Sequence, residues 1–225
     1  MSLFLLQASN AVEVVDVETK LSLLELLMKG GYFMIPILIL SIIAIAIFIE
    51  RYIAISKASK VNDGFMQNIK DYMLGGNIKA ALSVCKQEDS PTSRMIEKGL
   101  KRIGKPIKDI EVAIENVGKL ELLQLEKRLA TMATIAGVAP MIGFLGTVTG
   151  MIRAFYNLAN AGTNVDPGLL AGGIYEAMLT TAAGLSVGII AYIGYNVLVA
   201  MVEKVIYKME ATSVAFLDVL QEPVN

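Results

Sequence analysis

The chain has 225 residues, 55% hydrophobic and only 18% charged, with a mean hydropathy of +0.59 and a formal net charge of −1. An ordinary soluble domain is about 45–50% apolar and about 25% charged, so the composition argues against a soluble globular fold, and the absence of a basic surplus argues against a nucleic-acid partner. There is no His and a single Cys, Cys85, which leaves no intrachain disulfide and indicates no metal or cofactor site.

Taken in chain order, residues 1–31 are expected to form an outer-side segment. "MSLFLLQASNAVEVV" has an apolar start but no basic n-region, so a cleavable signal is not indicated. "LSLLELLMKGGY" puts Leu21, Leu24, Leu27 and Met28 on one helical face, the pattern of an interfacial helix. A first span follows at 32–50. Tyr32 to Ile49 carries no charge and is mostly Ile and Leu, so it should face lipid on most sides. Pro36 is tolerable near the end of such a helix. Glu50 and Arg51 mark its inner boundary.

Residues 51–128 read as a cytoplasmic helical domain. Of the 20 Lys and Arg residues, 15 lie between Arg51 and Arg128, and basic residues stay on the cytoplasmic side. The N-terminus is then periplasmic and the C-terminus cytoplasmic. "GGNIKAALSVCKQ" offers Asn77 as an N-cap. "SPTSRMIEKGLKRI" opens a second helix near Ser90 and Pro91. A third starts at Pro106, with Ile107, Ile110, Ile114 and Val117 on one apolar face. Cys85 reads as a packed thiol. No strong stop signal separates the third helix from the second span at 129–158, so one continuous helix of about 50 residues is expected from Ile107 to about Leu158, roughly 80 Å long.

A periplasmic loop at 159–167 has no Lys or Arg, and a third span covers 168–202, where the only charge is Glu176. At 35 residues it is about 52 Å long, more than a bilayer needs, so its inner end should project into the cytoplasm. A cytoplasmic tail fills 203–225. The whole is an all-α polytopic membrane protein with three transmembrane helices and long helices that extend into a helical cytoplasmic domain.

The second and third spans differ from the first in kind. They hold Gly137, Gly143, Gly146, Gly150, Gly172, Gly173, Gly184, Gly188 and Gly194, with Pro140 and six threonines. Small residues let membrane helices approach closely, so Gly143, Gly146, Gly150, Gly184, Gly188 and Pro140 are assigned to helix packing. Counting down from the loop, Thr147 and Thr181 both lie about 18–20 Å deep, level with each other near mid-membrane. By the same count Arg153 is about 9 Å and Glu176 about 12 Å down. On the third span, at about 100° per residue and with Glu176 at the origin, Gly173, Ala177, Thr180, Thr181, Gly184 and Gly188 fall in the sector from about 40° to about 140°, and Tyr175, Met178, Leu179, Ile189 and Ile193 occupy the sector from about 200° to about 300°. An ionisable group inside a span faces protein or water rather than lipid. Glu176 therefore looks into an assembly or a pore, with Arg153 as its candidate ion-pair partner, and Thr147 and Thr181 are candidate lining residues of the same passage. The blander alternatives are an Arg153–Glu176 pair that only staples helices, and threonines that bond back to their own helix.

"LATMATIAGVAPMIGFLGTVTGMIRAF" followed by "GGIYEAMLTTAAGLSVGIIAYIGYN" resembles the MotA/TolQ/ExbB proton-channel family, and its ExbB/TolQ branch most closely. The motif residues are Ala139, Pro140, Gly143, Gly146, Thr147, Val148 and Gly150, then Glu176, Ala177, Thr181, Ala182, Gly184 and Leu185. Three spans fit that branch, whereas the flagellar stator MotA has four. The resemblance implies a homopentamer whose second and third helices line a central pore. It implies a single-span partner similar to ExbD or TolR with a transmembrane Asp, and a TonB- or TolA-like periplasm-spanning protein beyond it. Such a complex couples inward proton flow to mechanical work, as in import of siderophore-type substrates. Thr147, Thr181 and Glu176 carry over, whereas Arg153 departs from the family pattern. The chain's lack of His and of a second deep carboxylate fits a partner that supplies the acid. The same lack argues against an intramembrane enzyme, which needs a nucleophile–base pair or a carboxylate dyad, so no catalytic residue is assigned. A purely structural membrane scaffold without a proton pathway remains the alternative.

Overall fold

The computed structural model describes residues 30–60, 62, 64–160 and 167–221. The expected interfacial helix around Leu21–Met28, most of the 159–167 loop and the last four residues lie outside the described residues. Among the described residues there are seven helices and no strand. They are α1 (Met34–Ala58), α2 (Phe65–Leu74), α3 (Ile78–Glu88), α4 (Pro91–Leu100), α5 (Ile107–Leu125), α6 (Leu129–Asn160) and α7 (Pro167–Gln221). The all-α reading holds, and three stretches are long and apolar enough to cross a membrane: Met34–Ala58, Ile107–Asn160 and Leu170–Gln221.

In these stretches only 17–22% of the most apolar window is buried within the single chain. Helix α1 shows why. Met34, Ile37, Ala44, Ile47, Arg51 and Ile55 form one stripe at three- and four-residue steps, packed mainly on α7 and secondarily on α6. The other faces expose Ile35, Leu38, Ile39, Ile42, Ile45 and Ile53. Exposed apolar surface of that extent needs lipid or other subunits to cover it. The protein is a multi-pass membrane protein.

The short helices are set by local chemistry. The Asn77 side chain accepts from the Ala80 N–H at 3.1 Å and opens α3. Ser90 and Ser93 form a reciprocal capping box at the head of α4, with Pro91 in the first turn. Gly75 and Gly76 end α2, and Gly76 takes the left-handed φ of +69° that a side chain would resist. Asp89, at φ 39°, ends α3. Its carboxylate accepts from Arg94 Nη1 at 2.9 Å, while Arg94 Nε and Nη2 each reach the buried Glu121 at 2.7 Å. One guanidinium therefore ties the α3–α4 corner to α5 with paired, charge-assisted bonds. On α5, Ile110, Ala113, Ile114, Glu121 and Leu125 are buried. Ile107, expected on the same face, is 41% exposed, because the buried stripe begins one turn later.

The expected continuous helix from Ile107 is interrupted. Residues 126–128 form a turn, and Arg128 has φ +67°, a conformation uncommon for a side-chain-bearing residue. The break is held by ions that the sequence did not connect. Arg51 donates to the Gln124 carbonyl at 3.2 Å near the end of α5 and to Glu50 at 2.6 Å. The second Glu50 oxygen accepts from Arg128. A cation on a freed helix-end carbonyl is favourable, so the charges at the end of the first span stabilise the interruption between α5 and α6.

Helix α7 is longer than the third span and the tail implied. It runs unbroken for 55 residues, about 82 Å, so the 203–221 stretch is helix rather than a separate tail. Its C-terminal half is the post around which the core extends to α2–α5. Leu198, Val205 and Phe216 are fully buried with Ile55, Ile69, Ile96, Leu100 and Ile114. The Phe216 ring sits over Gly99, where an added Cβ would meet Cε1 at 2.7 Å and Ile114 Cδ1 at 2.8 Å. Lys208 Nζ donates to the Ser59 carbonyl at 3.0 Å and so binds α7 to the end of α1.

Two outcomes follow from this packing. Phe216→Ala removes a fully buried ring and should cost about 3–5 kcal/mol, read as a lower melting temperature of the detergent-solubilised protein. An unchanged melting temperature would mean that the end of α7 is not part of the core. Cys85 is buried, and burial first, then the negative charge of Glu97, pushes its thiol up to about 12. The thiolate is the nucleophile, so maleimide should label Cys85 slowly at neutral pH in the folded protein and rapidly in denaturant. Fast labelling of the folded form would contradict the packing.

Candidate functional site

Helices α6 and α7 meet in antiparallel register along a seam of small residues. An added Cβ at Gly194 would meet Met132, at Gly188 Pro140, at Gly184 Gly143, at Gly146 Thr180, at Gly150 Ala177 and at Gly173 Ala154. The pairs step down one helix as they step up the other. At the closest backbone approach a Cβ on Gly184 would lie 2.6 Å from the Ala139 carbonyl oxygen and 2.9 Å from Gly143 Cα. Those are backbone atoms and cannot turn away. A hydrogen at these positions is what lets the two chains touch. Pro140 adds to this. It has no N–H for the Ala136 carbonyl, and that carbonyl lies against Gly188, whose Cβ would fall 3.0 Å from it.

The small side of α7 is thus directed at α6 of the same chain. Ala177, Thr180 and Ala191 are buried there, while Tyr175, Met178, Ile189 and Ile193 are exposed. The azimuths identified the two faces, and the structure supplies the occupant of the small one.

Close backbones bring the hydroxyls together. Thr181 Oγ1 donates across the seam to the Gly143 carbonyl at 3.0 Å. Thr147 Oγ1 bonds back to the same carbonyl at 3.3 Å, and the two threonine oxygens are themselves in hydrogen-bonding contact. Two hydroxyls have two protons for these three contacts, so the donors must alternate, and lone pairs remain for a third group. Both threonines are partly buried. Thr147 also lines an open groove with Phe144, Val148, Met151, Ile152 and Phe155. Thr180, one residue from Thr181, is 1% exposed and donates to the Ala177 carbonyl at 2.7 Å.

Five residues from Thr181 along α7, Glu176 Oε1 lies 3.8 Å from Arg153 Nη1. That is an ion pair without a direct hydrogen bond. The side chains are 33% and 61% exposed in the single chain. These are the only ionisable Asp, Glu, Lys, Arg or His residues in α6 and in α7 as far as Val202. Among the described residues no group of three His, Cys, Asp or Glu side chains is placed to hold a metal. Sequence reasoning passed over Thr149, Thr180 and Gly31 as site residues. Thr180 was visible as a near neighbour of Glu176 in azimuth. Gly31 carried no signal beyond its place in a Gly-Gly pair. The seam itself is testable. Gly184→Val puts a branched side chain on backbone, and overpacking typically costs about 1–3 kcal/mol. It should lower the melting temperature and separate Thr147 from Thr181. Gly137→Ala, where nothing lies within 4 Å of the added carbon, should be silent. Equal behaviour of the two variants would remove the seam as the determinant.

The MotA/TolQ/ExbB proton channel family matches residues 87–211, a region that includes all of α6 and the seam half of α7. A putative biopolymer transport protein ExbB homolog of Methanothermobacter thermautotrophicus is 31% identical over 190 residues, 84% of this chain and 67% of that protein. The putative biopolymer transport protein ExbB-like 1 of Synechocystis is 32% identical over 181 residues, 80% of this chain and 71% of that protein. The Tol-Pal system protein TolQ of Haemophilus influenzae is 42% identical over 76 residues, 34% of this chain and 33% of that protein. Three apolar spans, a small-residue seam with paired threonines, and this match over more than half its length make the chain a member of the MotA/TolQ/ExbB proton channel family, in its ExbB/TolQ branch.

Proposed function

We propose that this protein is the proton-channel subunit of an ExbB–ExbD or TolQ–TolR type complex. Five copies surround a central pore, and a single-span partner with a transmembrane Asp occupies it. Inward proton flow through the complex is coupled to mechanical work on periplasmic and outer-membrane partners, such as a TonB- or TolA-like protein in the import of siderophore-type substrates. The chain sits in the inner membrane with its N-terminus periplasmic and the 51–128 domain and C-terminus cytoplasmic, the orientation favoured by 15 of the 20 Lys and Arg residues between Arg51 and Arg128.

The observation that carries this reading is the Thr147–Thr181–Gly143 cluster. Its two hydroxyls are joined across two apolar helices, are partly accessible, and have lone pairs to spare. A carboxyl group from a partner helix would find there both a donor and an acceptor. The groove of Phe144, Thr147, Val148, Met151, Ile152 and Phe155 supports the approach of an apolar helix along the same face. A relay made of this chain alone lacks titratable groups at that depth, and the partner's acid fills the gap. Glu176 lies on the periplasmic side of the threonines, at the entry to the path, with Arg153 as its counter-ion. The membrane potential supplies about 2.3 kcal/mol per charge per 100 mV, so a few protons provide ample energy for work.

The test replaces both hydroxyls and keeps the side-chain shape. Thr147→Val with Thr181→Val, made in the complex with its single-span partner, should leave a pentamer by native mass measurement. Proton uptake into liposomes under an imposed potential should fall by about 100-fold or more, the scale of losing a proton-transfer group. Normal uptake in the double variant would reduce the threonines to packing residues and favour a scaffold without a proton pathway.

A further inference from the structure

The surroundings of Glu176 extend beyond Arg153. The turn that precedes α1 crosses directly over its carboxyl group. Gly31 has φ +66°, and an added Cβ there would collide with Glu176 Oε1 and lie 3.1 Å from Cδ. Two separate demands therefore converge on a glycine at this position: a left-handed backbone and the approach of a carboxylate. The turn is fixed to the helix it precedes. The Met34 N–H donates to the Gly31 carbonyl at 3.2 Å, and the Ile35 N–H to the Tyr32 carbonyl at 3.3 Å.

Beneath the turn lies a cavity of about 20 Å³, lined by Glu176 with Tyr32 and Phe33 of the turn, Gly146 and Thr149 of α6, and Thr180 of α7. One water needs about 10–15 Å³ of such space and two to four polar partners. The partners are present. Thr149 Oγ1 donates to the Leu145 carbonyl at 2.8 Å and Thr180 Oγ1 to the Ala177 carbonyl at 2.7 Å, so both keep lone pairs that accept from a water. Glu176 offers a third acceptor, and the two protons of a water reach two of the three at a time. Arg153, which also lines the cavity, can donate to the water oxygen. Gly146 sets the floor, since a Cβ there would lie 2.5 Å from Thr180 Oγ1.

We propose that the turn at residues 30–33 is a cover over Glu176, closing a one-water site bounded by Thr149 and Thr180, and that Gly31 is the positioning residue that lets the cover seat on the carboxyl. The water bridges the acid to Thr180, the immediate neighbour of Thr181. With the turn seated the Glu176 side chain is still 33% exposed, so the turn restricts access to the acid from this end rather than sealing it. The cover stands on the geometry alone, and its consequence for proton flow rests on the function proposed above.

The experiment separates the two. In the intact complex in its membrane, the rate of Glu176 modification by dicyclohexylcarbodiimide is read by mass spectrometry of the Glu176 peptide, for the unaltered protein and for Gly31→Ala, Gly31→Asn and Gly137→Ala. Asn tolerates a left-handed backbone and carries a side chain, so it isolates the contact from the strain. At Gly137, away from the turn, an added carbon meets nothing within 4 Å. Both Gly31 variants should raise the modification rate about tenfold, the shift that one overpacked contact gives, and Gly137→Ala should not. Equal rates in all forms overturn the cover. A rise in Gly31→Ala without one in Gly31→Asn assigns the effect to backbone strain and overturns the role given to Gly31. Proton uptake is measured on the same samples. Faster modification with unchanged uptake leaves the cover standing and overturns the placing of Glu176 on the proton path.

Discussion

Lipid gives two apolar helices no reason to leave it for each other, so α6 and α7 must hold together by the closeness of their backbones. That closeness is the condition for everything at the site. Where Gly184 meets Gly143 and the Ala139 carbonyl, there is room for hydrogen atoms and nothing larger. The Thr181 hydroxyl can then cross to the Gly143 carbonyl instead of bonding within its own helix. A wider separation would send both hydroxyls back to their own backbones, as Thr134 and Ser186 already do.

The two halves of α7 solve different problems in one unbroken helix. Its first half is small and polar on the side that faces α6 and bulky on the side that faces away. Its second half carries Val205, Met209 and Phe216 into a core of ordinary soluble character with α4 and α5. In that half large side chains interlock, as at Phe216 over Gly99, and burial of such apolar surface is favourable wherever it is taken out of water. A rigid 55-residue helix joins the two regions without a loop, so displacement of the membrane seam relative to the soluble end is carried along one element.

The break between α5 and α6 sits where these regimes meet. A stretch of 54 residues could have been one rod. Instead Arg51 takes a carbonyl at the end of α5, and Glu50 bridges Arg51 and Arg128. Charges that a sequence reader uses to find a membrane boundary here also decide backbone geometry. Arg94, bound to Asp89 and Glu121, does the same for the corner beside it.

The sequence by itself determined the class, the three spans, the caps at Asn77 and Ser90, and the common level of Thr147 with Thr181 and of Arg153 with Glu176. Those follow from composition, local hydrogen bonding and a constant rise per residue, which need no knowledge of neighbours. It also separated the small face of α7 from the bulky one. What it left open was which surface fills the small face, and the tertiary structure assigns that to α6. Only packing in three dimensions decided that Thr181 bonds to Gly143 while Thr147 bonds back, that α7 continues past Val202 to Gln221, and that α5 and α6 part at 126–128. Only packing set Gly31 against Glu176. Apart from the Thr147 back-bond, the contacts behind these features join residues 34 to 149 positions apart, and periodicity carries no information about a partner at that distance. A glycine's use is visible only when the atom that approaches it is known.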